Sequence, residues 1–232
     1  MKFVWAKAYE VHRPNRSDVS CAKAYEVHRL DMPTPAYGEP QHTRQLAVAD
    51  ALRHAWSAYE RVAFGDDELD TLSQSAVTSY NMGLTLVDTI DTLHLFGLHP
   101  EAKRATEWVA NHLRFDSQAG ASVFETTIRI LGGLLSAYEL SNEPRLLESA
   151  RQLGSRLLPA FDSPTGLPCG TLDLASGRAY NPAWARGASS IAEVATLQLE
   201  FATLSRHTGD PRYGDRARRV MEHLRAMRWP SR

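Results

Sequence analysis

The chain has 232 residues, and its 26 Lys and Arg are balanced by 27 Asp and Glu, leaving a formal net charge of -1. That near-neutrality provides no global basic field to hold nucleic acid or an anionic membrane. The length suffices for one sizeable core or two small ones. Two distant cysteines, Cys21 and Cys169, make neither a disulfide framework nor a metal-ligand spacing.

The first residues, MKFVWAKAYE, lack the apolar run of a signal-peptide core, and no window approaches the roughly 18 uninterrupted apolar residues of a membrane span. Neither a signal peptide nor membrane anchoring is visible. The segment AKAYEVHR occurs at 6–13 and again at 22–29, fewer copies than the roughly three a repeat fold needs. With Pro33, Pro35, Gly38 and Pro40 following, residues 1–40 read as a poorly packed extension. Asn15-Arg16-Ser17 fits the N-glycosylation triplet, a pattern common by chance.

From Thr43 the periodicity is helical, with breaks at Gly, Pro and Asp. It predicts helices at 43–63, 84–97, 100–114, 122–141, 143–159, 188–206 and 210–227. LPCGTLDLASGRAY, 167–180, reads as a hairpin turning at Ala-Ser-Gly. Short connections make successive helices antiparallel neighbours, so the expected class is all-α, a series of helical hairpins.

Carboxylates recur inside the apolar patterns. Asp88 and Asp91 lie one turn apart in TLVDTIDTLHLFGL, and Glu193 and Glu200 fall among Ile191, Val194, Leu197 and Phe201. His94 reads as a packed residue of its apolar helix. The segment SVFETTIRILGGLLSAYELS, 122–141, has two apolar rows, one of Phe124, Ile128, Leu131, Leu135 and Tyr138, the other of Val123, Ile130, Leu134 and Ala137. Between them runs a narrow stripe of Glu125, Arg129, Gly132 and Ser136. A solvated helix has a broad polar side. The narrow stripe suits the wall of a cavity, where Gly132 and Gly133 let something approach the backbone.

P-loop, dinucleotide, HExxH, EF-hand and G-x-S-x-G signatures are missing from the sequence. Carboxylates facing a cavity remain as the chemical resource, and paired carboxylates are what glycoside hydrolysis uses.

Five stretches in order, HAWSAYERVAFGDDEL (54–69), GLTLVDTIDTL (83–93), SVFETTIRILGGLLSAYELS (122–141), LGSRLLPAFDSPTGLPCGTLDLASG (153–177) and SSIAEVATLQLEFATLSRHTGDPRY (189–213), resemble the class I α-1,2-mannosidases of glycoside hydrolase family 47. The resemblance implies an (α/α)7 barrel of inner and outer helices around a sugar-binding cavity, of which residues 41–232 are the N-terminal part. It also implies an inverting, calcium-dependent removal of terminal α-1,2-linked mannose from N-linked oligomannose glycoproteins in the endoplasmic reticulum or Golgi.

Glu125 matches the family acid that protonates the departing oxygen. Arg129 matches its arginine partner, and Asp88, Asp91 and Glu193 are the candidate substrate-binding residues. SSIAE and Trp184 resemble the processing mannosidases rather than the quality-control mannosidase-like proteins. The family's other catalytic carboxylates and its calcium-ligating threonine have no counterpart in this chain, and Cys169 replaces an aromatic residue usual after T-G-x-P.

Two functions follow as expectations: a fragment of a processing mannosidase, inactive alone, or a non-catalytic helical module of the quality-control mannosidase-like type that binds glycoprotein or another protein. A barrel wall ending after half its helices is also expected to leave two apolar rows open, Leu86, Ile90 and Leu93 on one side and Val194, Leu197 and Phe201 on the other.

Overall fold

The computed structural model describes residues 43–116, 120–183 and 186–227. The repeated segment, Cys21 and Trp184 lie outside the described residues. Helix α1 spans Thr43–Val62 and leads into a short hairpin, β1 Glu68–Asp70 and β2 Ser75–Val77. Helices α2 Leu84–Leu95 and α3 His99–His112 follow. Strand β3, Gly120–Ser122, enters a continuous helix made of α4 Val123–Glu125, a π-helical turn Thr126–Leu131 and α5 Gly132–Ser141. After it come α6 Pro144–Leu157 with a 3-10 turn at Leu158–Phe161, β4 Thr171–Asp173 and β5 Ala179–Tyr180. Helices α7 Ile191–Val194, α8 Gln198–Thr208 and α9 Pro211–Ala226 complete the described chain.

Local chemistry sets the helix ends. Glu143 and Asp210 accept from the backbone N–H groups of Arg145 and Arg212, and each is followed by a proline at the first helical position. Both features satisfy or remove N–H groups that a helix start leaves unpaired. Asn142 and Gly209 end α5 and α8 in the left-handed conformation.

The helices form two layers. Helix α2 and α8 both pack against the continuous helix of residues 123–141, while α3 packs on α2, α6 on α5 and α8, and α9 on α8. Leu86, Ile90, Leu93, Leu134, Leu153, Phe201 and Tyr213 fill the core with at most 0% of their surface exposed. Burying a side chain of that size stabilises by about 1.5–3 kcal/mol. The two rows expected to lie open are closed: Leu86, Ile90, Leu93, Val194, Leu197 and Phe201 are all buried. They point into the folded chain rather than sideways toward a further helix.

Two other expectations need correction. The predicted helix 188–206 is broken at Ala195–Leu197, where the Thr196 hydroxyl donates to the Ala192 and Glu193 carbonyls and competes with the helical ladder. The predicted hairpin exists, turning at Ala175, Ser176 and Gly177 over the Asp173 carboxylate, but β3 adds a third strand to it. Strands of three residues are too short to declare themselves by alternation.

Candidate active site

The narrow stripe becomes a half-exposed face on a helix whose other sides are largely covered. Glu125, Arg129, Gly132 and Ser136 are all partly exposed, whereas Val123, Ile130, Leu131, Leu134, Leu135 and Ala137 are buried. Phe124, Ile128 and Tyr138, from the first predicted row, are only partly buried. The π-helical turn accounts for the difference, because its extra residue per turn rotates the two ends of the helix relative to each other.

Glu125 sits in the first turn, whose backbone N–H is capped by the Ser122 hydroxyl at 3.2 Å. Its Oε2 lies 2.7 Å from Arg129 Nε, with the two side chains 36% and 40% exposed. Solvent at that level screens the pair, so it adds little to stability, and its geometry serves to orient the carboxylate.

Across the interface, α2 presents Asp88 and Asp91. Burial pushes the Asp88 carboxyl above its ordinary value, the Arg129 guanidinium draws it down, and the Asp91 and Glu125 carboxylates push it up again. Those influences put all four charged groups in one electrostatic neighbourhood. Asp91 is tied in by the Ser136 hydroxyl, which donates to Oδ2 at 3.0 Å, and by Thr92, which donates to Oδ1 at 3.2 Å. The structure thus brings together Asp88, Asp91, Glu125 and Arg129.

Glu193 comes from another element, the short helix α7. It lies in a cleft of about 190 Å³ with Ser122, Gly170, Thr171, Asn181 and Ser190. Ser122 links the cleft to the first turn that carries Glu125. Asn181 holds the cleft wall, accepting from Gly170 N at 2.7 Å and donating to the Gly187 carbonyl at 2.9 Å. In an unbroken helix Glu193 and Glu200, seven residues apart, would share a face. The break at 195–197 separates them, and Glu200 faces Gly132 instead, its Cγ 3.6 Å from where a Gly132 Cβ would stand.

Two acids escaped the sequence reading. Glu200 was visible among apolar residues, but nothing in its spacing says that it meets Gly132. Asp67, in GDDEL, is fully buried and accepts from four backbone N–H groups, those of Tyr80, Asn81, Met82 and Leu84. Burial pushes its carboxyl up, but those four donors prevail and hold it below its ordinary value. It anchors the loop that starts α2, the helix of Asp88 and Asp91.

His94 is packed as expected: burial holds the ring below its ordinary value, and Nε2 is sealed without a partner among the described residues. Cys169 is partly buried, which pushes its thiol up.

Residues 51–232 match the model of glycosyl hydrolase family 47. A mannosyl-oligosaccharide 1,2-alpha-mannosidase of Arabidopsis thaliana is 47% identical over 183 residues, covering 78% of this chain and 33% of that protein. The endoplasmic reticulum mannosyl-oligosaccharide 1,2-alpha-mannosidase of Homo sapiens is 41% identical over 197 residues, 84% of this chain and 28% of its own length. The chain therefore spans about a third of the length of these curated relatives. Among solved structures, an alpha-1,2-mannosidase from Trichoderma reesei superposes with a TM-score of 0.73 at 33% identity, over 82% of this chain and 42% of that one. The layered helices are thus those of the expected α/α barrel class, and the chain belongs to glycosyl hydrolase family 47.

Proposed function

We propose that the chain is part of a mannosyl-oligosaccharide 1,2-α-mannosidase that removes terminal α-1,2-linked mannose from N-linked oligomannose glycoproteins. The observation that carries this reading is Glu125 held by Arg129 at 2.7 Å on a half-exposed face bordered by Asp88 and Asp91. Glu125 gives a proton to the glycosidic oxygen as its bond to the anomeric carbon breaks, and Arg129 steadies the carboxylate left behind. Asp88, Asp91 and Glu193 accept hydrogen bonds from sugar hydroxyls.

Inversion requires a second carboxylate that activates water on the opposite face of the sugar, about 6.5–9.5 Å from the acid. We assign this chain the acid side of that arrangement. Among the described residues no three His, Cys, Asp or Glu side chains gather as a metal site. The calcium ion that the resemblance implies is therefore not assigned to these residues.

The relatives' names support the substrate class, and the human relative's name supports the endoplasmic reticulum as the place of action. No helix among the described residues is long and apolar enough to cross a membrane.

The test is mannose release from an α-1,2-linked oligomannose glycan by this chain continued with the remaining length of a matched relative. A rate that falls about 100-fold or more on Glu125→Gln supports the reading. An unchanged rate removes Glu125 from the mechanism, and glycan binding without release favours a non-catalytic binding module.

A further inference from the structure

The last turn of α2 carries His94, a histidine that the mechanism above does not use, and α3 begins with a second, His99. The turn between them is tightly closed. Phe96, Gly97 and Leu98 donate their backbone N–H groups to the carbonyls of Thr92, His94 and Leu93 at 3.0, 3.1 and 2.9 Å, and Gly97 takes the left-handed conformation, with φ 72°, that this helix ending requires. The closure brings the two rings to a centroid separation of 6.0 Å, with His99 exposed and His94 partly buried.

One nitrogen of His94 governs what charge the ring can carry there. Nε2 is sealed from solvent and has no hydrogen-bond partner among the described residues. A neutral ring suits that environment by carrying its proton on Nδ1 and leaving Nε2 bare, whereas an imidazolium has an N–H on both nitrogens and buries one of them without an acceptor. Burial holds the ring below its ordinary value, His99 of α3 adds to that effect, and Asp91, one turn earlier in α2, opposes it. Asp91 is already engaged by the hydroxyls of Ser136 and Thr92. No further charged group among the described residues acts on the ring, although the π-helical turn and α5 also pack on α2.

We propose that His94 and His99 form an acid-sensitive latch at the end of α2. With both rings neutral the turn stays closed. In mildly acidic solution a proton on His94 drives its ring out of the sealed position and away from His99, and the α2–α3 turn opens. The folded ring takes a proton less readily than the free side chain, so closure is fully favoured above the free value of about 6.5 and weakens as pH falls through it toward the lowered folded one. The latch does not depend on the mannosidase reading, but it acts on the helix that carries Asp88 and Asp91, so its opening loosens one border of the polar face.

Amide hydrogen exchange of the full 232-residue chain at about pH 7.5 and about pH 5.5, corrected for the intrinsic effect of pH, provides the test. On acidification the protection of Phe96, Gly97 and Leu98 should fall by about tenfold, the effect of one proton taken up about one pH unit below the free value. At the lower pH it should also lie below that of α6, the mark of an opening confined to the turn. His94→Phe, which keeps an aromatic ring in the sealed position and takes no proton, should leave the protection of these amides independent of pH. Protection that is flat in the parent, that falls equally in His94→Phe, or that equals that of α6 at the lower pH overturns the latch. Should His94→Phe fail to fold, the ring resonances of the parent decide. A His94 titration midpoint below the ordinary value of about 6.5, reached together with shifts at Phe96, Gly97 and Leu98, supports the latch, and a midpoint at that value overturns it.

Discussion

Two adjacent glycines in the helix of residues 123–141 have separate reasons for being there. A Cβ on Gly133 would stand 2.8 Å from the Val87 carbonyl oxygen and 3.0 Å from Val87 Cγ1, so α2 and the helix could not keep their separation. A Cβ on Gly132 would meet only ordinary contacts at 3.6 Å and beyond. Gly133→Ala should therefore destabilise by about 1–3 kcal/mol, the usual cost of overpacking. Gly132→Ala should stabilise by up to about 1 kcal/mol, the helix-propensity difference. Thermal melts of the two variants read the contrast directly, and equal shifts would contradict it.

Asp67 also acts at the residue scale, through charge. Asp67→Asn removes the negative charge and turns an amide donor toward backbone donors, at a cost of about 3 kcal/mol. The sign of its pH dependence follows from the lowered carboxyl. A depressed folded pKa gives stability that is present above the unfolded value and is lost as pH falls through the folded one. Denaturant titrations should show the parent losing stability below about pH 4, with that component missing in Asp67→Asn. A variant as stable as the parent at neutral pH would remove Asp67 as the anchor of the α2 loop.

At the scale of elements, the loop between β5 and α7 depends on one side chain. Asn181 bridges Gly170 and Gly187, and its amide also lies 3.3 Å from the Ser189 hydroxyl, which itself donates to the Pro168 carbonyl. This cross-link holds together the cleft that contains Glu193. Asn181→Ala should cost about 1–2 kcal/mol and speed amide exchange at Gly170 while the exchange of α5 and α6 is unchanged. Unaltered protection at Gly170 would show that the strands, rather than Asn181, hold the wall.

For the whole molecule, burial of the rows in α2, α7 and α8 decides how the chain behaves in solution. Leu86, Ile90, Leu93, Val194, Leu197 and Phe201 make no apolar surface available. Among the described residues the large exposed apolar side chains are spread along the chain, with Leu46 and Val48 in α1, Leu72 in the β1–β2 turn, Phe96 after α2, Leu140 in α5 and Ile191 in α7. Scattered residues of this kind are ordinary on a soluble surface. The chain should therefore unfold in one sigmoidal step by circular dichroism, without the dye binding of a molten state. A broad melt with strong dye fluorescence would show that those rows are not packed.

Much of this was legible in the amino-acid order, because the signals involved are local. The starts of α6 and α9 are encoded by Glu143-Pro144 and Asp210-Pro211, and the apolar periodicity located α2, α3 and the helix of 123–141 to within a few residues. The pair Glu125 and Arg129, four residues apart, needed only helical geometry to meet. Tertiary structure alone decided the rest. Nothing local assigns Gly133 to Val87 and Gly132 to Glu200, joins Asp67 to four amides 13 to 17 residues ahead, or adds β3 to the predicted hairpin. The break after Val194 likewise sent Glu193 to the cleft and Glu200 to the polar face, although their spacing in a straight helix would have kept them together. Periodicity along one helix determines which residues share a side, while the partner of that side is set by packing between elements distant in the chain.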